Sequence, residues 1–161
     1  MSQDNPHHIP EPGFSFMFEV TATLDKPQEL GMTKYGRRRV IGINGGTFEG
    51  PGIKGVVVPG GADWQTLRAD GTADLVANYC LRTDEGETIY IENAGIRTAP
   101  ADVLQRLASG EEVDPSEYYM RTAAKMEINE NSVHNYLNTS IIVSSGIRKA
   151  NSVIIRFYRV L

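Results

Sequence analysis

The glycine-rich stretch of residues 45–64, GGTFEGPGIKGVVVPGGADW, constrains the fold of this chain more than any other feature. Seven of its twenty residues are glycine, and residues 50–55 match the G-x-G-x-x-G pattern. A dinucleotide-binding loop needs a helix directly after its glycines, because the pyrophosphate binds at the helix N-terminus. Here a β-branched run, VVVP, follows instead. Glycines inside strands are typical of bulges and barrel corners, so the stretch predicts a β-barrel and argues against a nucleotide site.

The rest of the chain repeats short segments with alternating apolar residues, separated by turn signals such as Asp70-Gly71 and Glu85-Gly86. One clear helix is predicted at 100–110, with Pro100 near its start and Gly110 as its stop. A second helical turn is predicted at 132–137. We therefore predict an all-β fold, a closed or nearly closed antiparallel barrel of about 8–10 strands with one short helix. The predicted strands are 14–24, 38–48, 53–59, 63–70, 72–83, 88–98, 118–128, 139–147 and 151–161.

Composition and charge narrow the class of protein. The 161 residues suffice for one domain, predicted over residues 14–161 after a flexible tail of residues 1–13. A net charge of −4 gives no electrostatic reason to expect nucleic acid as a partner. No apolar stretch approaches the ~20 residues of a membrane helix, and the N-terminus does not resemble a signal peptide. The single cysteine, Cys80, fits a reducing compartment. We expect a cytoplasmic protein with neither a nucleic-acid nor a membrane partner.

A resemblance accompanies the glycine block. The stretch YGRRRVIGINGGTFEGPGIKGVVVPGGADW, with IRT, DPSEYYMRT, KMEI and YLN further along, resembles the successive signatures of the domain-of-unknown-function family 3237, also called uncharacterised protein family 0311. It covers the chain from about Phe16 to Leu161. The resemblance implies a small β-barrel, broadly similar to the barrels of allene oxide cyclases and dirigent proteins, and it leaves the function open.

The strand 118–128 carries the first candidate site residues. Its even positions include Met120 and Met126, and its odd positions include Arg121 and Glu127. If the even face packs in the core, the odd face lies in solvent. Alternatively the odd face lines a cavity, where Arg121 and Glu127 would form a buried charged pair. The resemblance includes both residues and favours the cavity, so we predict Glu127 and Arg121 as catalytic residues.

Two more candidates follow the turn at Gly60-Gly61. Such a turn could direct the side chains of Asp63 and Trp64 toward a barrel mouth, Asp63 as a further catalytic residue and Trp64 as a wall of the substrate site. The alternatives are a turn or cap carboxylate for Asp63 and ordinary core packing for Trp64.

Three further substrate-binding candidates come from separate segments. Arg38 opposes its two arginine neighbours on a strand, and we predict that it points inward. The hydroxyl of Tyr79 would need a buried partner or a ligand. Asn138 stands at a strand entrance, where local backbone capping is the alternative.

These residues support two hypotheses of function. The first is a cofactor-free isomerase, cyclase or lyase that acts on a small, partly apolar organic molecule inside the barrel by acid–base catalysis. The alternative is a lipocalin-like ligand carrier or sensor without turnover. Neither a metal nor a cofactor is expected, because His7 and His8 lie in the predicted flexible tail, His134 has no histidine or cysteine neighbour at ligand spacing, and no cofactor motif occurs. We also expect a homodimer, because the strand 151–161 is apolar on both faces.

Overall fold

The computed structural model describes residues 6–161. Part of the predicted N-terminal tail, residues 1–5, lies outside the described residues. The strands and helix that form are β1 (Phe14–Leu24), β2 (Gln28–Thr33), β3 (Gly36–Gly50), β4 (Ile53–Leu67), β5 (Ala73–Thr83), β6 (Thr88–Thr98), α1 (Ala101–Ala108), β7 (Tyr119–Glu127), β8 (Ile142–Arg148) and β9 (Ser152–Val160). Two short 3-10 turns occupy Pro115–Glu117 and Asn135–Thr139.

Eight of the strands close into an antiparallel barrel. The order of hydrogen-bonded neighbours is β1-β9-β8-β7-β6-β5-β4-β3, and β3 pairs back onto β1. The ninth strand, β2, pairs with β3 and forms a hairpin at the rim. The predicted closed antiparallel barrel with one short helix is confirmed.

The glycine-rich stretch lies in the two longest strands, β3 and β4, where the barrel closes. A Cβ added at Gly50 would lie 2.0 Å from the carbonyl oxygen of Met17 on β1, so β1 could not approach β3 if a larger residue stood there. The predicted strands 53–59 and 63–70 are one continuous strand, β4. Its register shifts between Val58 and Ala62, next to Pro59, and this bulge bends the strand without ending it.

Apolar side chains fill the barrel in two clusters. The larger one contains Phe18, Phe157, Leu81, Ile89 and Ile91, all of which are fully buried. The smaller one lies at the end of the barrel that α1 covers, where Val103 of the helix packs with Ala73, Leu75, Val113, Tyr118 and Met120. No helix within residues 6–161 has the length and hydrophobicity needed to cross a bilayer.

Candidate functional site

A cavity of about 40 Å³ lies inside the barrel, with apolar walls from β1, β3, β5 and β9. We call it the inner cavity. This volume accommodates about three water molecules or a small part of a ligand. The polar side chains of its lining are Asp63, Gln65, Tyr79, Asn93, Arg97, Thr122 and Arg148.

Strand alternation explains why these polar groups point inward. On β6, Asn93 and Arg97 continue the inward row of Ile89 and Ile91, and all four are buried. On β4, Gln65 is buried and Asp63 shares its face. Polar residues therefore occupy positions in rows that are otherwise apolar, and burial there is costly without a partner.

A chain of hydrogen bonds holds the Asp63 carboxylate. Nε of Arg39 donates to Oε1 of Gln65 over 2.8 Å, and Nε2 of Gln65 donates to Oδ2 of Asp63 over 2.7 Å. The backbone N–H of Val76 donates to Oδ1 of Asp63 over 3.2 Å. Burial nevertheless raises the pKa of Asp63, because it outweighs these two hydrogen bonds and the nearby charges of Arg97 and Arg148. The carboxyl is thus oriented, and its pKa is shifted toward neutrality.

Three buried polar atoms of the inner cavity lack a hydrogen-bond partner among the described residues: Oη of Tyr79, Oδ1 of Asn93 and Nε of Arg97. An unsatisfied buried donor or acceptor costs about 1–3 kcal/mol. Burial raises the pKa of the Tyr79 hydroxyl, and the negative charge of Asp63 adds to the effect, so Tyr79 stays a neutral donor. Three such atoms belong to residues that line one cavity, which makes it the candidate site.

Three arginines lie close enough for their charges to interact: Arg97 and Arg148, which line the inner cavity, and Arg39 next to them. Within residues 6–161, none of them forms an ion pair with a carboxylate. Burial, followed by repulsion from Arg148 and Arg39, lowers the pKa of Arg97 to about 10. Arg97 therefore remains charged at neutral pH. We call these three residues the arginine triad.

The arginine triad also borders a larger pocket of about 530 Å³ beneath α1, which we call the outer chamber. Leu104 and Leu107 of α1 form part of its wall. Two further cations border it, but both are paired: Arg37 lies 3.2 Å from Glu29, and Lys149 lies 3.1 Å from Glu112. The unpaired positive charge of this region therefore belongs to the arginine triad. Among residues 6–161, no cluster of three His, Cys, Asp or Glu side chains could hold a metal ion.

Of the residues predicted from the sequence, the structure brings Asp63 and Tyr79 together in the inner cavity. Trp64 does not join them, because it points outward and is 44% exposed. The predicted inward orientation of Arg38 is wrong. Its Nη1 donates to Oγ1 of Thr66 over 2.7 Å, on the face of the sheet opposite Arg39.

The prediction that the odd face of the strand 118–128 lines the cavity is also wrong. Burial alternates along β7, with the even positions inside and Arg121 and Glu127 exposed. Arg121 stacks over the Tyr119 ring at 5.1 Å. The physical reason is that Met120 and Met126 gain free energy by burial, whereas charged groups remain hydrated outside.

Asn138 has the capping role that the sequence left open. Its Oδ1 accepts from the backbone N–H of Ile128 over 2.9 Å, and its Nδ2 donates to the carbonyl of Ile128 over 3.0 Å. Together with Glu127 it borders a separate surface pocket, away from the inner cavity.

Sequence reasoning missed Arg39, Gln65, Asn93, Arg97 and Arg148, although a signal for two of them was readable. Arg39 shares its strand face with Ile41 and Ile43, and Arg97 shares its face with Ile89 and Ile91. A charged residue in register with buried β-branched residues indicates a polar group in the interior. For Arg148, at the end of β8, the sequence offers no comparable row.

Comparison with known proteins agrees with this fold. The family model "Protein of unknown function (DUF3237)" matches residues 12–160. A UPF0311 protein of Clostridium acetobutylicum is 38% identical over 154 residues, which is 95% of this chain and 97% of the relative. A UPF0311 protein of Rhodopseudomonas palustris is 38% identical over 146 residues, which is 91% of this chain and 95% of the relative.

Solved structures extend the comparison. The crystal structure of a conserved protein of unknown function from Rhodopseudomonas palustris has a TM-score of 0.90 at 36% identity, covering 95% of this chain and 100% of that one. A beta-barrel like protein from Acinetobacter baumannii has a TM-score of 0.83 at 34% identity, covering 96% of this chain and 99% of that one. An enzyme from Penicillium herquei shares the fold alone, with a TM-score of 0.70 at 18% identity and coverage of 96% and 98%. The family that the sequence resembled is thereby shown: this chain belongs to the DUF3237 family, whose relatives in Clostridium and Rhodopseudomonas are named UPF0311 proteins.

Proposed function

We propose that this protein is a cofactor-independent acid–base enzyme, of the isomerase, cyclase or lyase type, whose small and partly apolar organic substrate places its reacting end in the inner cavity. The observation that carries the proposal is a carboxyl group with a raised pKa, Asp63, beside the buried Tyr79 hydroxyl and the buried Nε–H of Arg97, which both lack partners among the described residues. Perturbed titratable groups in an apolar cavity are typical of catalytic sites.

In this proposal Asp63 is the proton-transfer group. General acid–base catalysis is most efficient when the pKa lies near the working pH, and burial moves Asp63 in that direction. The hydrogen bonds from Gln65 and Val76 fix its orientation, as a positioned base requires. The Asp63 carboxylate removes a proton from a carbon next to a carbonyl group, and the C–H electron pair moves into that carbonyl. Where the enolate is conjugated with a carbon–carbon double bond, return of the proton at the far carbon restores the carbonyl and shifts the double bond, which completes an isomerisation without any redox change.

The other groups of the cavity stabilise the charge that this step creates. Arg97 has a free buried N–H and lies close enough to Asp63 for their charges to interact. A guanidinium aimed at a developing enolate oxygen lowers the barrier because it is already oriented. Tyr79 supplies a neutral O–H donor, and Oδ1 of Asn93 supplies an acceptor. The apolar walls keep water from the reacting atoms.

The experiment has two stages. A thermal-shift screen of small organic acids, phenols and 1,3-diketones identifies a compound that binds, and NMR in D₂O then follows exchange of its acidic C–H with solvent deuterium. We expect Asp63→Asn to slow the exchange by about 10²–10⁴-fold, because it removes the titrating group.

Glu127→Gln serves as the matched control, because Glu127 is an exposed carboxylate on the outer wall. It should leave the exchange rate unchanged. Full activity in Asp63→Asn would overturn the proposal. Tight binding without exchange at any pH would instead favour the carrier, for which shape and fixed hydrogen bonds suffice.

A further inference from the structure

The charges around the arginine triad do not balance. The triad contributes three positive groups, and Asp63 is the carboxyl that lies near them in the inner cavity. Of the acids of the outer chamber, Glu111 pairs with Arg106, and Glu29 pairs with Arg37 while it also attracts Arg39. Three guanidinium charges against one carboxyl leave an excess of two positive charges in a chain whose overall net charge is −4.

This excess lies in a region that is partly shielded from water. Arg97 is 7% exposed, and its Nε has no partner among the described residues. Arg148 makes one long side-chain hydrogen bond, 3.5 Å from Nη1 to the carbonyl of Ser152, and Arg39 bonds a neutral amide. Uncompensated buried charges destabilise a protein unless a counter-charge joins them.

The position of the triad relative to the two pockets indicates how a bound ligand would be oriented. Arg97 and Arg148 line both the inner cavity and the outer chamber. The inner cavity of about 40 Å³ accepts a few heavy atoms, and the outer chamber of about 530 Å³ accepts a larger group. A ligand bound across the triad would place a small end beside Asp63 and the remainder beneath α1.

We infer that the substrate is an organic dianion whose two negative charges bind at the arginine triad, with the rest of the molecule in the outer chamber. The inference rests on the proposed function in taking the inner cavity as the substrate site. Guanidinium groups suit carboxylates and phosphates alike, since both accept paired N–H donors. Dicarboxylates and phosphate monoesters therefore share the required chemistry.

The test compares glutarate, butyrate and butyramide, which have similar carbon chains and carry two, one and no negative charges, together with ethyl phosphate. Affinities are measured by calorimetry at low salt on the intact protein. We expect a dianion to bind at least about tenfold more tightly than butyrate, and butyramide to bind weakest. The ratio of glutarate to ethyl phosphate affinity shows whether the two charges sit on separate carboxylates or on one phosphoryl group.

Arg148→Gln should weaken dianion binding by about tenfold or more and leave butyramide binding unchanged. Arg121→Gln is the matched control, because Arg121 lies on the outer wall and borders neither pocket. The variant Arg97→Gln repeats the test at a second triad position, in case Arg148→Gln does not fold.

Equal affinities for the charged and neutral probes, or equal losses in Arg148→Gln and Arg121→Gln, would overturn the inference. Neither result bears on the deuterium exchange that depends on Asp63. Failure of the inference is thereby distinguished from failure of the proposed function, which is read from Asp63→Asn alone.

Discussion

Among single residues, Asp63 and Tyr79 are titratable groups that the barrel buries in its interior. Tyr79 lies in a row of apolar neighbours, Asp63 lies beside the buried Gln65, and burial raises the pKa of each. Gln65 and Val76 satisfy the carboxylate, whereas the tyrosine hydroxyl has no partner among the described residues. Buried titratable groups with perturbed pKa values cluster at functional sites, where a ligand supplies the missing partner.

The raised pKa of Asp63 makes a prediction about stability and pH. The folded protein binds the Asp63 proton more readily than the unfolded chain, so this group's contribution is fully present below about pH 4 and is lost as pH rises through the folded pKa. The variant Asp63→Asn has no titrating group at this position, so it does not lose this stability as pH rises. We expect the free energy of unfolding of Asp63→Asn, relative to wild type, to increase between about pH 3.5 and pH 7. Denaturant titrations at both pH values measure it.

Asp74 serves as a control, because its contribution to stability depends on pH in the opposite direction. Hydrogen bonding to Arg68 lowers the pKa of Asp74, so its contribution is present at neutral pH and is lost as pH falls through the folded pKa. Asp74→Asn should therefore lose stability relative to wild type as pH rises over the same range. Parallel trends in the two variants would contradict the assignment of Asp63 as a buried carboxyl.

Tyr79→Phe tests whether the hydroxyl is held for a ligand. Removal of a hydrogen-bonded buried hydroxyl costs about 1 kcal/mol, but an unpartnered hydroxyl has no such bond to lose. We expect the ligand-free variant to be as stable as wild type or more stable, and its affinity for a cavity ligand to fall. Chemical denaturation and calorimetry give the two values. A destabilisation of about 1 kcal/mol or more would mean that the hydroxyl has a structural partner.

Among the strands, β3 and β4 carry the glycines that let the barrel close. Gly50 faces β1 so closely that an added Cβ would lie 2.0 Å from the carbonyl oxygen of Met17 and 2.7 Å from the Cα of Phe18. Backbone atoms cannot move aside as a flexible side chain would. The contact between β1 and β3 therefore depends on glycine at this position and not on a nucleotide ligand.

Gly50→Ala should destabilise the barrel by about 3 kcal/mol, the upper part of the usual range for overpacking. Gly13→Ala is the control, because its added Cβ would meet only the Leu161 side chain at 3.9 Å. Thermal unfolding of both variants measures the difference. Equal melting temperatures for the two variants would show that β1 can shift away from β3.

At the scale of the whole molecule, the outer wall of the barrel carries an apolar patch formed by Phe14, Ala94, Tyr119, Ala123, Val143 and Tyr158. These residues border one surface groove of about 620 Å³, and Phe14 and Tyr119 are 65% and 50% exposed. In the C-terminal strand, Ile155 and Phe157 point inward, whereas Tyr158 points outward beside the exposed Arg156. Exposed apolar patches of this kind mark interaction sites.

We expect this patch to pair with a second copy of the chain. Its lining combines the small residues Ala94 and Ala123 with aromatic side chains, and it includes Arg121, which stacks over Tyr119. Ridges and groove on one surface allow two copies related by a two-fold axis to interlock. Analytical ultracentrifugation should show a homodimer for wild type and a monomer for Ala123→Glu, which places a charge in the groove. A monomeric wild-type protein at micromolar concentration would contradict this expectation.

The sequence alone determined the class of fold, because the relevant signals are local. Alternating apolar residues specify strands with two unlike faces, and turn glycines specify where those strands end. The glycine block identified the barrel since β-branched residues, not a helix, follow it. These signals also identified Asp63 and Tyr79, which stand in inward rows on β4 and β5.

Only the tertiary structure decided which face of each strand points inward and which charges meet. Alternation on β3 and β7 defines two faces, but which one is buried depends on the partner strands and on the apolar side chains that compete for the interior. The arginine triad comes from β3, β6 and the end of β8, and no spacing along the chain relates its three members. Their meeting follows from barrel closure between β1 and β3 and from the register of eight strands. A local pattern cannot encode that register, because pairing energy is gained only when residues distant in sequence come together.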